Sequence, residues 1–276
     1  MMDVESRLNE TAAFLNKRSS LHPRLGFVLG SGLSGFAKQV NAVAQIPFKE
    51  IPHFAPATVE GHPGQLILGT LEGIPVAVLQ GRLHAYEGLD FDQVIYPTRT
   101  LAALGVKTLV VTNAAGGLKK TMKPGDFMVI KDHINLTGEN PLRGPNWNYG
   151  PRFVDMTAPY DPQLIRLLRE ALRKEKARAS VGVYVGVMGP TYETAAEISF
   201  YGKIGGGSVG MSTVAEVIAA RHAGMRVAGL SCITNLGTGL SKTKLSHEEV
   251  KEVAGKVESK FIRALLAFTR GYQKLK

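Results

Sequence analysis

Residues 78–88, with the sequence VLQGRLHAYEG, contain side chains suited to anion binding and to acid–base chemistry. Arg82 offers a planar fork of N–H donors that fits a phosphate or a carboxylate. His84 lies two residues further on, so an extended backbone places it on the same side, where it can donate to the same anion. Tyr86 and Glu87 add a hydroxyl and a carboxylate, which suit sugar hydroxyls or could orient His84. A polar turn with an ordinary ion pair between Arg82 and Glu87 explains the same residues without a ligand.

The position of this stretch follows from the apolar run at residues 76–79, which predicts a buried strand after Pro75. Gly81 ends that strand, so the polar residues lie at its carboxyl end, where open α/β sheets bind their ligands. Other apolar runs predict strands at residues 25–29, 65–71, 106–111, 181–187 and 227–233, and amphipathic helices are predicted at residues 4–15, 91–104, 164–172 and 250–268. The alternation indicates an α/β fold. With no linker and no internal repeat, residues 1–276 are predicted to form one domain.

Residues 30–35, GSGLSG, follow the first predicted strand and match the GxGxxG fingerprint of dinucleotide sites. That fingerprint needs a full helix after its third glycine, and here only residues 36–40 precede the next strand-like stretch. The dinucleotide interpretation, which would make the chain an NAD-dependent oxidoreductase, is therefore rejected. A glycine turn remains, whose backbone N–H groups and Ser31 hydroxyl can hold an anion.

Three other predicted strands end in groups that could contact a flat ring. Residues 112–117, TNAAGG, are small enough for backbone groups to approach a ligand closely, and a tight strand-to-loop turn accounts for them equally well. Tyr192 could stack on a ring, and Glu193 could accept hydrogen bonds from ring or exocyclic N–H groups. Alternatively, Glu193 stabilises the dipole of the helix that follows it. Thr234 and Asn235 come at the end of the last predicted strand.

Thr213 and Glu216 have the spacing of a capping box, which predicts that a helix begins there. Ser212 at this helix start can offer its hydroxyl and nearby N–H groups to a phosphate. His247 lies in the first turn of the last predicted helix, where an exposed histidine without a ligand is the alternative interpretation.

The composition excludes several classes of protein. The net charge of +10 could indicate a nucleic-acid partner, but much of it lies at residues 166–178 and 251–276, in and beside two of the predicted helices, without the interleaved aromatic residues of single-strand binders. Solvated helix faces are therefore favoured over a basic nucleic-acid-binding protein. Seven histidines without HxH or HExxH spacing and a single cysteine predict no metal site and no disulfide. No signal peptide and no 18-residue apolar run occur, so we expect a cytoplasmic protein without membrane contact.

Taken together, these clusters resemble the trimeric purine nucleoside phosphorylases, a family that also contains methylthioadenosine phosphorylase. The matching words are LGSGL (29–33), GHPG (61–64), GRLHAYEG (81–88), VTNAAGG (111–117), NPLRGPN (140–146), GPTYET (189–194), VGMST (209–213), ITN (233–235) and SHEEV (246–250). The resemblance implies a single-domain α/β fold with a central mixed, partly barrel-like sheet flanked by helices. It also implies a homotrimer in which inorganic phosphate, a co-substrate, attacks the anomeric carbon of a purine nucleoside without any cofactor.

The resemblance further implies a role for each matching residue. Phosphate would be held by Ser31, Arg82, His84, the backbone N–H of Ala114 and Ser212, and the ribose by Tyr86, Met211 and His247. The purine would contact Tyr192, Glu193, Asn235 and the backbone of Ala114, Ala115 and Gly116, while Tyr149 would reach the site of a neighbouring subunit. The expected catalytic residues are His84, Glu193 and Asn235.

The base pocket is expected to favour 6-oxopurines, in a reaction of purine salvage. An ionised Glu193 only accepts hydrogen bonds, so it pairs with the protonated N1 of hypoxanthine or guanine and not with the bare N1 of adenine. In the methylthioadenosine branch of the family an aspartate stands where this chain has Asn235, so an adenosine-type phosphorylase is the alternative function. Leu236 and residues 237–239 depart from the patterns of the mammalian and bacterial members, which leaves the shape of this loop open.

Overall fold

The computed structural model describes residues 3–58, 63–146, 149–241 and 246–275. The helices are α1 (Val4–Asn16), α2 (Phe91–Ala103), α3 (Pro162–Lys174), α4 (Ala195–Lys203), α5 (Val214–His222) and α6 (His247–Tyr272). The strands are β1 (Leu25–Val28), β2 (Asn41–Pro47), β3 (Gln65–Leu71), β4 (Ile74–Gln80), β5 (Thr108–Gly117), β6 (Phe127–Leu136), β7 (Ala179–Val187), β8 (Gly206–Gly210) and β9 (Arg226–Leu236). Short 3₁₀ helices at Ser34–Gln39, Phe48–Glu50 and Ala85–Glu87 complete the regular structure of the described residues.

The strands of the described residues form one sheet in the order β2-β3-β4-β1-β5-β8-β7-β6-β9. Because β5 also pairs with β9, the strands from β5 to β9 close into a small barrel. Pairing is mixed: β1 lies parallel to β4 and β5, whereas β5 is antiparallel to β8 and β6 is antiparallel to β9. The predicted α/β fold, with a mixed and partly barrel-like sheet between helices, is confirmed.

Alternate residues of the strands supply two large hydrophobic clusters on opposite faces of the sheet. In β4, Val76 and Val78 pack with α3 and α6, whereas Ala77 and Leu79 pack with α1, α2 and α5. Asp161 caps α3 through the backbone N–H groups of the first turn, as its position before Pro162 predicts. None of the helices in the described ranges has the length and apolar character needed to cross a bilayer.

Strand boundaries near the ligand-facing edge differ from the sequence predictions. The alternative interpretation of residues 112–117 as a strand-to-loop turn is wrong, because β5 continues to Gly117 and pairs with β9 along its whole length. β9 likewise continues past residue 233 to Leu236, so Asn235 lies within a strand. β8, with the sequence GGSVG, was not predicted, because three glycines in five residues carry no apolar alternation. Pairing with neighbouring strands decides these boundaries more strongly than local propensity does.

Candidate active site

A cleft of about 700 Å³ opens at the C-terminal ends of β5, β8 and β9. The predicted site residues that line it are Ser31, Arg82, His84, Tyr86, Ala114, Ala115, Gly116, Tyr192, Glu193, Met211, Ser212 and Asn235. Other lining residues are Asn113, Val209, Gly210, Thr234 and Val250. The side chain of His247 lies outside the described part of the structure. Residues that are far apart in the chain thus meet in one cleft, at the edge of the sheet that the polar clusters predict.

Arg82 lines the cleft but is only 3% exposed, and a carboxylate from a distant helix holds it. Its Nε and Nη2 donate to Oε1 and Oε2 of Glu216, both at 2.9 Å, and its Nη1 donates to the Thr112 carbonyl at 2.6 Å. The alternative of an ion pair between Arg82 and Glu87 is therefore wrong. The predicted capping box is wrong as well, since Glu216 pairs with Arg82 and the Thr213 side chain makes no capping hydrogen bond.

His84 is oriented by Glu87, as one of the two sequence interpretations proposes. The Oε1 atom of Glu87 accepts from the backbone N–H of His84 at 2.8 Å and contacts its Nδ1 at 2.9 Å. The other carboxylate oxygen accepts from the backbone N–H of Thr58 at 3.0 Å and from the Thr58 hydroxyl. Burial alone would raise the pKa of Glu87, but these hydrogen bonds from His84 and Thr58 outweigh it and lower the pKa to about 2. An ionised Glu87 makes Nδ1 of His84 the donor in this contact, which fixes the orientation of the imidazole ring beside the cleft.

The Tyr86 ring packs against one face of the His84 ring. The two rings stack with their centroids 4.6 Å apart and an interplanar angle of 19°. Burial, with a smaller contribution from Glu87, raises the pKa of Tyr86 to about 12. The Tyr86 side chain is therefore a neutral hydroxyl at physiological pH, and it can donate to or accept from a sugar hydroxyl.

The glycine turn at residues 30–35 packs closely against β5. A Cβ on Gly30 would lie 2.7 Å from the Cα of Asn113, so only glycine permits this close approach. The backbone N–H of Gly30 donates to the Thr112 hydroxyl at 3.1 Å, which in turn donates to the Val28 carbonyl. The turn therefore holds Ser31 at the edge of the cleft, in place of the helix that a dinucleotide site requires.

Ser212 lies on a strained turn just before α5. Thr213 adopts φ 73° and ψ −52°, a backbone conformation that is rare for a β-branched residue. The Thr213 hydroxyl accepts from Nδ2 of Asn113 at 2.9 Å and lies 3.1 Å from Oγ of Ser212. The buried Tyr184 hydroxyl accepts from the Ser212 backbone N–H at 3.4 Å. Backbone strain of this kind is common at functional sites, and here the surrounding hydrogen bonds hold Ser212 beside the cleft.

Glu193 lines the cleft and does not serve as a helix cap. Thr194 is the N-cap of α4 and forms a capping box with Glu197, which leaves the Glu193 side chain to the cleft. Burial raises the pKa of Glu193 above its ordinary value of 4.5. A carboxylate in this position accepts hydrogen bonds from N–H groups of a ligand, and it gains a proton at a higher pH than an exposed glutamate does.

Asn235 is held in one orientation by its neighbours. The Thr234 hydroxyl donates to Oδ1 of Asn235 at 3.0 Å, and Nδ2 donates to the Leu236 carbonyl at 3.2 Å. One hydrogen on Nδ2 is left for the cleft, so the side chain presents a donor there.

Tyr149 does not line the cleft of its own chain. It packs, half-buried, against the hydrophobic cluster that contains α1 and α2, and burial raises its pKa. A separate, mostly apolar cavity adjoins the cleft, because His84, Met211 and Ser212 line both. The other residues around that cavity are Leu83, Ala85, Phe91, Val94, Thr137, Val187, Met188, Thr213, Ala215 and Glu216.

Comparison with known proteins relates this cleft to a family. Residues 24–270 match the Phosphorylase superfamily. The chain is 47% identical over 268 residues to "Purine nucleoside phosphorylase 1" of Geobacillus stearothermophilus, which covers 97% of this chain and 98% of that protein. Crystal structures of a Schistosoma purine nucleoside phosphorylase with hypoxanthine and of the Schistosoma mansoni protein with adenosine both superpose with a TM-score of 0.90 at 38% identity, covering 98% of this chain and 97% of each solved chain.

Proposed function

Because the chain belongs to the purine nucleoside phosphorylases of the phosphorylase superfamily, we propose that it phosphorolyses 6-oxopurine nucleosides: inosine, guanosine and their deoxy forms. The products are the free base and (deoxy)ribose 1-phosphate, which fits a cytoplasmic enzyme of purine salvage. One observation carries the proposal: a single cleft unites the anion-binding candidates Arg82, His84 and Ser212 with the base-pairing candidates Glu193 and Asn235. The Schistosoma structure that holds hypoxanthine supports the same choice of base.

The reaction we propose needs no covalent nucleophile on the enzyme. A phosphate oxygen forms a bond to the anomeric carbon as the bond from that carbon to the purine breaks, and the bonding electrons leave with the base. The base anion takes up one proton and the phosphate, entering as HPO₄²⁻, gives one up, so the products are the neutral base and the sugar 1-phosphate dianion. The sugar gains positive charge in the transition state, and the bound phosphate stabilises it. Nδ2 of Asn235 is a neutral donor that can stabilise N7 as the purine becomes negative, since an amide is too weak an acid to transfer its proton.

Base selection in this proposal depends on Glu193 and Asn235. Ionised Glu193 accepts from the protonated N1 of hypoxanthine, and from N1 and the 2-amino group of guanine. Adenine presents a lone pair at N1, which would leave the partly buried carboxylate without a donor. The adenosine complex of the Schistosoma relative means that this fold admits adenosine. We therefore expect discrimination in the rate of cleavage as well as in binding.

Hypoxanthine should appear from inosine only when phosphate is present. Purified protein and inosine are followed by absorbance in phosphate buffer and in phosphate-free buffer of equal ionic strength. Sulfate is the matched control, since it has the shape and charge of phosphate but is a far poorer nucleophile, and it should support no base release. Equal rates with and without phosphate would show a hydrolase and contradict the proposed function.

The preference for inosine over adenosine should narrow as the pH falls through the pKa of Glu193. Because burial raises that pKa above 4.5, the carboxyl takes up a proton at a higher pH than an ordinary glutamate does, and once protonated it can donate to the bare N1 of adenine. The ratio of kcat/KM for the two nucleosides is measured between pH 5 and pH 8, and the ionisation of phosphate cancels in this ratio. Glu193→Gln, which has no such titration, should give a ratio independent of pH.

We also propose a homotrimer in which Tyr149 of one subunit contributes to the site of the next. Tyr149 lies away from the cleft of its own chain, and the cavity beside Met211 and Phe91 has a mostly apolar lining, which suits contact with an aromatic side chain. Such a contribution would cover the ribose end of the cleft and exclude water from it. The segment that carries Tyr149 to the neighbouring subunit would be the long segment of residues 135–160.

Sedimentation at micromolar concentration should give about three times the chain mass of 29.7 kDa. Tyr149→Ala should raise the KM for inosine several-fold and leave the KM for phosphate unchanged, because in the proposed trimer the aromatic ring would contact the nucleoside and not the phosphate. Phe153→Ala is the matched control, since Phe153 is an exposed aromatic residue of the same segment. A stable and fully active monomer would refute the trimer.

A further inference from the structure

Arg82 and Glu216 form a buried pair whose geometry limits what the arginine can offer a ligand. Their side chains are 3% and 6% exposed. A guanidinium carries five N–H donors. Two of them reach Glu216 and one reaches the Thr112 carbonyl. One hydrogen on Nη1 and one on Nη2 remain, and these are the donors that Arg82 can present to an anion in the cleft.

The Arg82–Glu216 pair also connects two candidate phosphate-binding residues, Arg82 and Ser212, through helix α5. Glu216 lies in the first turn of α5, and Ser212 precedes that helix by two residues. Glu216 therefore ties the Arg82 fork to the helix start that carries Ser212. Because both Nε and Nη2 of Arg82 bind this carboxylate, the length of the Glu216 side chain contributes to the position of the guanidinium relative to Ser212.

The part of the cleft that contains the candidate phosphate-binding residues carries little net positive charge. Among the described residues that line the cleft, the arginine and the histidine each contact a carboxylate: Arg82 contacts Glu216, and His84 contacts Glu87. The buried Tyr184 hydroxyl, whose pKa burial raises to about 12, adds a dipole and no charge. The site is thus rich in hydrogen-bond donors but poor in net positive charge.

We propose that Glu216 is a positioning residue that sets how tightly the site holds phosphate, an inference that rests on the proposed function. It directs the two remaining Nη hydrogens of Arg82 towards the anion and offsets the guanidinium charge. Phosphate and the sugar 1-phosphate product are then held by aligned hydrogen bonds with modest affinity, so that the product leaves readily. A residue that served stability alone would not change phosphate binding selectively.

The effect of the negative charge of Glu216 on phosphate binding is tested with Glu216→Gln, which keeps the size of the side chain and removes the carboxylate. The unbalanced guanidinium should then bind phosphate more tightly, with a Kd lower by roughly tenfold, while kcat falls because the sugar 1-phosphate leaves slowly. Phosphate affinity is measured by the rise of Tm with phosphate concentration and by calorimetry, neither of which needs turnover. The rise of Tm should be larger than in the unaltered protein.

The effect of the length of the Glu216 side chain is tested with Glu216→Asp, which keeps the negative charge but shortens the side chain by one methylene. The KM for phosphate should rise several-fold, because the fork is drawn away from the anion, and the KM for inosine should stay within about twofold. Asp161→Asn is the matched control: Asp161 also holds an arginine by two bonds, from Nε and Nη2 of Arg226 at 2.8 and 3.0 Å, and does not line the cleft. Its phosphate affinity should match that of the unaltered protein.

An unchanged or higher phosphate Kd in folded Glu216→Gln, or an unchanged phosphate KM in Glu216→Asp, overturns the inference. If Glu216→Gln does not fold even in phosphate, the aspartate variant decides, since it retains the ion pair. Release of base by the unaltered protein without phosphate would refute the proposed function itself. The failure of the function and the failure of the Glu216 inference are thus distinguishable.

Discussion

Adenosine is expected to be cleaved with a kcat/KM lower than that of inosine by about a hundredfold or more, as sites built on hydrogen bonds can achieve. The cause is the pairing of Glu193 with the N1 position, where inosine supplies a donor and adenosine a lone pair. Asn235→Asp should reduce this gap, because the new carboxylate accepts from the 6-amino group of adenine and repels the 6-oxygen of hypoxanthine. The measurement is kcat/KM for both nucleosides at pH 8 and saturating phosphate.

Thr234→Val is the matched control for the Asn235 substitution. It removes the hydroxyl that donates to Oδ1 of Asn235 at 3.0 Å and adds no charge to the site. It should lower the rate with both nucleosides, because the amide is less firmly oriented, and leave their ratio nearly unchanged. If the unaltered protein cleaves adenosine or methylthioadenosine as well as inosine, the base assignment is wrong and the adenosine-type alternative replaces it.

Arg82→Met is expected to destabilise the protein by about 3–5 kcal/mol, besides removing its activity, because it leaves the Glu216 carboxylate buried without a partner. The double variant Arg82→Met with Glu216→Leu should regain most of the lost stability, since apolar side chains can replace a buried ion pair at little cost. It should regain no activity. Urea unfolding in phosphate-free buffer measures the free energy of unfolding of each variant.

Arg99→Met is the matched control for this stability effect. Arg99 is also buried, but its partner Asp92 is 52% exposed, so the carboxylate left behind remains in contact with water. The loss should be clearly smaller, at about 1 kcal/mol or less from the ion pair. A double variant at Arg82 and Glu216 that is no more stable than Arg82→Met alone would show that the buried carboxylate is not the source of the loss.

The sequence by itself determined which chemical groups this site contains. Residue types and their spacing single out the glycine turn with Ser31, the Arg82 and His84 pair and the Glu193 and Asn235 positions as candidates, because strands of an α/β sheet present their C-terminal ends at one edge. The family resemblance of the matching words then favours a ligand site over ordinary turns and ion pairs. Apolar periodicity also located most helices and strands, since each must bury one face or stripe. These features depend on local spacing, which a single sequence displays directly.

Only the tertiary structure decided which partners those groups hold. Arg82 and Glu216 are 134 positions apart, and their local surroundings favoured Glu87 and a capping box as partners instead. The same limit applies to β5, whose small residues at positions 112–117 carry no strand signal but are kept extended by pairing with β9. Long-range pairing and the burial of charge are properties of the folded chain, because their free energy depends on which distant groups replace water around each atom.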